Sequence, residues 1–118
     1  MQTLVYINPL KPGKLDAYRA FSAENIGPRK AEYMDLLKRY GLKNAKVYYH
    51  RLAGKEFIVV VHDAEDDAVE RLTHFNESNN PYDQWFLKQL VEFHDFNTVE
   101  GNQAEQIFNF PESNFSEL

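Results

Sequence analysis

The sequence holds no cysteine, one tryptophan, and only five glycines and five prolines in 118 residues. Without thiols there are no disulfides, no thiolate nucleophiles and no Cys-ligated metals, and the absence fits a cytoplasmic protein. Positive charge is scarce as well: 13 Lys and Arg stand against 18 Asp and Glu, a net charge of −5. Phosphate backbones and anionic bilayers are bound through a basic footprint, so neither nucleic acid nor membrane is expected as a partner. No apolar run approaches the ~18 residues of a membrane span, and the opening MQTLVYINPL lacks the cationic region of a signal peptide. Gly-rich phosphate loops and nucleophile-elbow sequences are missing too, which argues against nucleotide cofactors and serine-hydrolase chemistry.

What the chain has in quantity is aromatic side chains: nine Phe, seven Tyr and the one Trp. Each can bury ~150–250 Å², enough for a core without a metal or disulfide staple. No repeat or linker interrupts residues 1–110, which read as one domain; residues 111–118 read as an irregular tail anchored by Phe115.

Local patterns give the element order. TLVYIN (3–8) is β-rich and ends at Pro9 and the turn Lys11-Pro12-Gly13. From Leu15 to Tyr40 the period becomes helical, with Leu15, Tyr18, Ser22, Ile26, Arg29, Tyr33, Leu37 and Tyr40 on one stripe. Pro28 cannot donate to the Glu24 carbonyl, so this helix is predicted to kink or split near Gly27, and to stop at Gly41. AKVYYHRL (45–52) and KEFIVVVH (55–62) flank Ala53-Gly54 as a β-hairpin that sets Tyr49 opposite Ile58, Val47 opposite Val60 and Ala45 opposite His62. Both hairpin faces are apolar, so one should lie under helices and the other against a second copy of the chain. Residues 63–77 read as an acidic-ended helix; Asn80-Pro81 starts another, with Tyr82, Trp85, Phe86, Gln89, Leu90 and Phe93 inward. AEQIFNF (104–110) reads as the last strand. The order βαββα(α)β is the α+β, ferredoxin-like pattern.

Three segments carry a resemblance. LKPGK (10–14) before a long helix, LLKRYGLKN (36–44) before a hairpin and SNNPYDQWF (78–86) are similar to segments of small dimeric α/β-barrel proteins. One group within that superfamily is an uncharacterised family sharing the Lys-Pro-Gly-Lys opening and the Ser-x-x-Pro-x-Asp segment; the other is the L-rhamnose mutarotases. The resemblance spans about residues 3–110 and implies a homodimer with a small-ligand pocket between sheet and helices. Placed residue by residue, the mutarotase substrate Tyr matches Tyr18, and the paired Trp of the last helix match Trp85 and Phe86. The catalytic His falls on Ser22 and a ligand-contacting Tyr on Ala45. The aromatic walls are thus retained, while the proton-transfer group and one hydroxyl are missing from those positions.

Candidate site residues follow from this placement and from the pattern itself. Ser22 and Arg29 interrupt an apolar stripe, as groups lining a cavity do; the alternative is that Arg29 snorkels to solvent and Ser22 bonds its own helix. His62, opposite Ala45, is the catalytic candidate, because its pKa range suits acid–base work and it can replace the missing histidine from the sheet side. The alternative is a strand-end histidine paired locally with Asp63. Tyr18, Tyr49, Trp85 and Phe86 are candidate ligand walls, or else plain core. His50, His74 and His94 sit on separate elements without ligand spacing, so no metal and no cofactor are expected. Three functions are therefore in play. They are small-molecule binding, a cofactor-independent enzyme of the mutarotase or small monooxygenase type, and an interaction protein with a filled core.

Overall fold

The computed structural model describes residues 1–96 and 101–111. Strand β1 (Gln2–Pro9) leads to helices α1 (Leu15–Ile26) and α2 (Lys30–Arg39). The hairpin strands β2 (Lys46–Leu52) and β3 (Lys55–Ala64) follow, then the short α3 (Ala68–Leu72), a 3-10 turn at Phe75–Glu77, and α4 (Pro81–Phe93). The sheet is antiparallel in the order β1-β3-β2. Among the described residues, no helix is long and apolar enough to cross a membrane.

The predicted break in the long helix has the expected cause. The Glu24 carbonyl, which Pro28 cannot serve, accepts instead from the Gly27 and Arg29 amides at 3.4 and 2.9 Å, and α2 restarts at Lys30. At the end of α2 the Leu42 amide donates to the Leu37 carbonyl (2.8 Å) and the Gly41 amide to the Lys38 carbonyl (3.2 Å), a Schellman closure. It requires the left-handed φ of +72° at Gly41, where an added Cβ would also crowd Glu65 at 3.1 Å. Asn80 caps α4 by accepting from the Tyr82 and Asp83 amides, with Pro81 in the first turn. The hairpin register is the one the sequence sets, with Tyr49 facing Ile58 and Val47 facing Val60, but the ladder starts at Lys46 with Val61, so Ala45 stands in line with His62 just outside it.

Three predicted elements come out differently. β3 does not end at His62, because Asp63 and Ala64 still find ladder partners in Thr3 and Gln2, with Leu42 bridging on the other side. The helix expected over 63–77 is reduced accordingly to α3 and the 3-10 turn. Thr73 Oγ1 takes the Glu70 carbonyl at 2.6 Å, an acceptor that a continuing helix would need. The expected strand at 104–110 is absent. Among the described residues of this segment, the free edge of β1 is met near Gln103, with the Ile7 amide on the Asn102 carbonyl and the Ala104 amide on the Val5 carbonyl, both 2.7 Å. In the register of Tyr6 opposite Gln103, residue 107 would already face Gln2, where β1 begins. Beyond it nothing is left to pair with, and Ile107, Phe108 and Phe110 stay exposed. Residues 102–104 nonetheless occupy the fourth position of a ferredoxin-like sheet, beside β1. Phe115 lies outside the described residues.

Helices cover one sheet face, that of Leu4, Asn8, Ile58, His62 and Ala64, all buried. Two clusters fill the space beneath them. One joins Leu4, Leu36, Tyr40, Leu42, Ala64, Ala68 and Tyr82; the other joins Leu10, Tyr18, Phe21, Ile58 and Phe93, and Trp85 and Phe86 pack against both. Among the described residues, nothing covers the opposite face. Ile7, Tyr48 and Leu52 are 42%, 55% and 62% exposed there, beside half-buried Val5, Phe57, Val59 and Val61.

Candidate functional site

Between the two core clusters the helices and the sheet do not meet, and a cavity of about 520 Å³ remains. That is the size of a pocket for a small organic molecule. Its walls come from β1 (Tyr6, Asn8), α1 (Tyr18, Phe21, Ser22, Asn25), α2 (Tyr33, Leu36, Leu37), the hairpin (Ala45, Val47, Val60, His62) and α4 (Phe86, Leu90). The lining is mainly aromatic and aliphatic, with a few polar groups set into it.

Of the residues nominated from sequence, Tyr18, Ser22, Phe86 and His62 line the cavity, together with Ala45. Three others stand outside it. Tyr49 lies on the hairpin surface and donates to Glu56 Oε1 at 2.9 Å. Arg29 pairs with Glu24 at 2.6 Å and lays its guanidinium 4.1 Å above the Trp85 ring. Trp85 is held between that guanidinium and the Phe21 and Tyr82 rings, each 5.5 Å away between centroids. On α1 the buried positions are Tyr18, Phe21 and Asn25, whereas Ile26 is 72% exposed at the cavity rim.

Sequence reasoning did not nominate Tyr6 or Tyr33. Tyr33 lay on the helical stripe already, and Tyr6 is one of the alternating inward positions of β1 with Leu4 and Asn8. That period of two was a usable signal. The hydroxyls of Tyr6, Tyr18 and Tyr33 have no hydrogen-bond partner among the described residues, while Tyr82 donates to buried Asn25. Burial pushes the Tyr18 phenol well above its ordinary pKa, with Tyr33 adding to the shift, and burial raises Tyr6 and Tyr33 too. All three are therefore neutral donors at any physiological pH.

His62 is the one histidine among the described lining residues. Its Nδ1 donates to the Asn44 carbonyl at 2.7 Å, which leaves Nε2 as the unprotonated nitrogen of the neutral ring. Burial lowers its pKa, outweighing the Asn44 hydrogen bond, so the neutral form prevails at pH 7. The alternative, a local pairing of His62 with Asp63, is not made; that carboxylate binds Asn44 and Thr3. Among the described residues, no group of three or more His, Asp or Glu side chains is placed to hold a metal.

No protein-family profile and no curated protein matches the sequence. Among solved structures, the fold is similar to that of tetracenomycin F2 cyclase from Streptomyces glaucescens, a type-II polyketide cyclase, with a TM-score of 0.58 at 15% identity. The match covers 93% of this chain and 97% of that one. At that identity it is the fold that is shared, an α+β, ferredoxin-like fold.

Proposed function

We propose that residues 1–110 form one small-molecule-binding domain and that its ligand occupies the cavity between sheet and helices. The ligand is flat, mainly apolar and carries a carbonyl or phenol oxygen. The observation that carries this reading is the combination of a 520 Å³ aromatic cavity with three phenol donors and one imidazole nitrogen that have no partner among the described residues. The fold likeness to a polyketide cyclase makes polyketide-derived aromatics the first class to try. A sugar, with a hydroxyl on nearly every carbon, would leave most of its polar groups unsatisfied against such walls, which argues against a mutarotase substrate.

In this reading His62 is the base, and no metal or redox cofactor takes part. Its Nε2 removes a proton from a carbon next to a carbonyl: the C–H bond breaks, an N–H bond forms, and the electron pair moves to the carbonyl oxygen. A tyrosine hydroxyl facing that oxygen stabilises the enolate. The protein acts as a homodimer through its uncovered sheet face, in the cytoplasm.

Titration of the full chain with 1,8-dihydroxyanthraquinone, followed by calorimetry and melting temperature, tests the binding step. Saturable binding that disappears in Ala45→Trp, which fills the cavity, is the expected result. Equal binding by wild type and Ala45→Trp places the ligand elsewhere and overturns the proposal.

A further inference from the structure

A base is useful only if its lone pair sits on the correct nitrogen, and a free neutral histidine favours the Nε2–H tautomer, the wrong one for this cavity. The structure contains a device that reverses the preference. Segment 42–44 runs beside the end of β3, where Leu42 bridges Ala64 and the Lys43 amide donates to the Asp63 carbonyl at 2.7 Å. Asn44 then contacts Asp63 twice. Its Nδ2 donates to Asp63 Oδ2 at 2.8 Å, and its Oδ1 accepts from the Asp63 amide at 2.9 Å.

Those two contacts allow one orientation of the Asn44 amide. An ionised carboxylate only accepts and a main-chain N–H only donates, so a flipped amide would place donor on donor and acceptor on acceptor. Asp63 is itself held from the other side by the Thr3 hydroxyl at 3.3 Å. The Asn44 hydrogen bond, with that of Thr3, keeps its carboxyl below the usual carboxylate range, so it stays ionised. With its side chain fixed, Asn44 presents its own carbonyl oxygen to His62 Nδ1 at 2.7 Å. A carbonyl has no proton to give, so Nδ1 must carry one, and Nε2 must carry the lone pair.

His94 shows what the same contact achieves without a cavity. Its Nδ1 lies 3.0 Å from the Pro9 carbonyl, but its Nε2 is buried with no partner and does not line the pocket. Only at His62 does the fixed tautomer turn a free nitrogen toward open space.

We propose that Asn44 is a positioning residue for His62: clamped by Asp63, it fixes the tautomer in which Nε2 is unprotonated and open to the cavity. This rests on the reading of His62 as the base, but its test does not. Long-range proton–nitrogen correlation spectra of the ¹⁵N-labelled full chain at about pH 8, above the ordinary histidine pKa, report which ring nitrogen carries hydrogen. In the wild type the Nδ1–H form should dominate. Asn44→Ala and Asp63→Ala should each shift His62 toward the Nε2–H form, whereas Asp63→Asn, which keeps an acceptor oxygen for Asn44 Nδ2, should retain the wild-type signals. A dominant Nε2–H form in the wild type, or an unchanged tautomer in Asn44→Ala, overturns the proposal. A purely structural role would lower the melting temperature of Asn44→Ala and leave the tautomer alone. Since no ligand enters the measurement, failure of anthraquinone binding would remove the cavity reading and leave this assignment standing, and the reverse also holds.

Discussion

Arg39, in the last turn of α2, reaches the first turn of α4 and grips the fully buried Asp83 with two hydrogen bonds of 2.7 Å each. Ser78 Oγ donates to the same carboxylate at 2.6 Å and the Tyr40 hydroxyl at 3.4 Å. The Ser-x-x-Pro-x-Asp segment is thus a structural clasp: Ser78 and Asp83 close on each other, Asn80 and Pro81 start the helix between them, and Arg39 ties the clasp to α2.

Breaking the clasp from one side should be costly, because it strands a buried charge. Arg39→Ala should lose on the order of 3 kcal/mol in urea unfolding, and Arg39→Met with Asp83→Leu should recover much of it. Burial alone would raise the Asp83 carboxyl, but the Arg39 hydrogen bonds and charge outweigh it and hold the group low. A depressed carboxylate stabilises above its unfolded pKa of about 4 and loses that stabilisation as pH falls toward the folded value. Wild type should therefore lose stability more steeply than Arg39→Ala below about pH 4; parallel curves would show that the pair contributes nothing.

Trp85 reports on Arg29. With the guanidinium 4.1 Å above one face and aromatic rings nearby, its emission should be blue-shifted and slow to quench with acrylamide. Arg29→Ala should uncover that face, speed quenching and cost about 0.5–1 kcal/mol. Unchanged quenching would mean the stack is not populated in solution.

His94 should make the fold sensitive to mild acid. Burial depresses its pKa, more than the Pro9 hydrogen bond raises it, and its Nε2 has no partner to receive a new charge. The unfolded chain then binds protons first as pH drops below about 6.5, so stability falls in that window. His62 contributes in the same direction. His94→Phe should be less stable at pH 8 through the lost hydrogen bond, yet flatter between about pH 7 and 5. If its melting temperature falls as steeply as that of the wild type, the buried charge is not the cause.

The uncovered sheet face should hold the proposed dimer together. Light scattering at micromolar concentration should give about twice the 13.8 kDa chain mass. Val59→Asp, in the middle of that face, should give a folded monomer. A wild-type monomer, or a Val59→Asp dimer of unchanged stability, would assign the interface elsewhere.

Much of the molecule is determined locally and was legible in the chain. The hairpin register follows from a two-residue connection, in which Ala53 and Gly54 both take positive φ, 53° and 78°. The helix break at Pro28, the stop at Gly41 and the start at Asn80-Pro81 rest on single residues whose backbone chemistry leaves few options. His62, Tyr18, Ser22 and Phe86 could be nominated because strand alternation and helical period place them on inward faces. Tertiary structure decided the rest. Both neighbouring phases of α1 carry apolar side chains, so only packing against α4 selects Phe21 and Asn25 over Ile26, and with them the cavity wall. Arg29 and Trp85 lie outside the pocket, the half-buried guanidinium pairing with Glu24 and stacking on the indole. Residues 104–110 have a strand's composition, but a strand needs a partner edge, and in the register of Tyr6 opposite Gln103 β1 ends opposite residue 107 and leaves 108–110 without one. Which ring nitrogen of His62 carries the hydrogen is likewise not written in its spacing: Nδ1 faces the Asn44 carbonyl, 18 residues away in the chain.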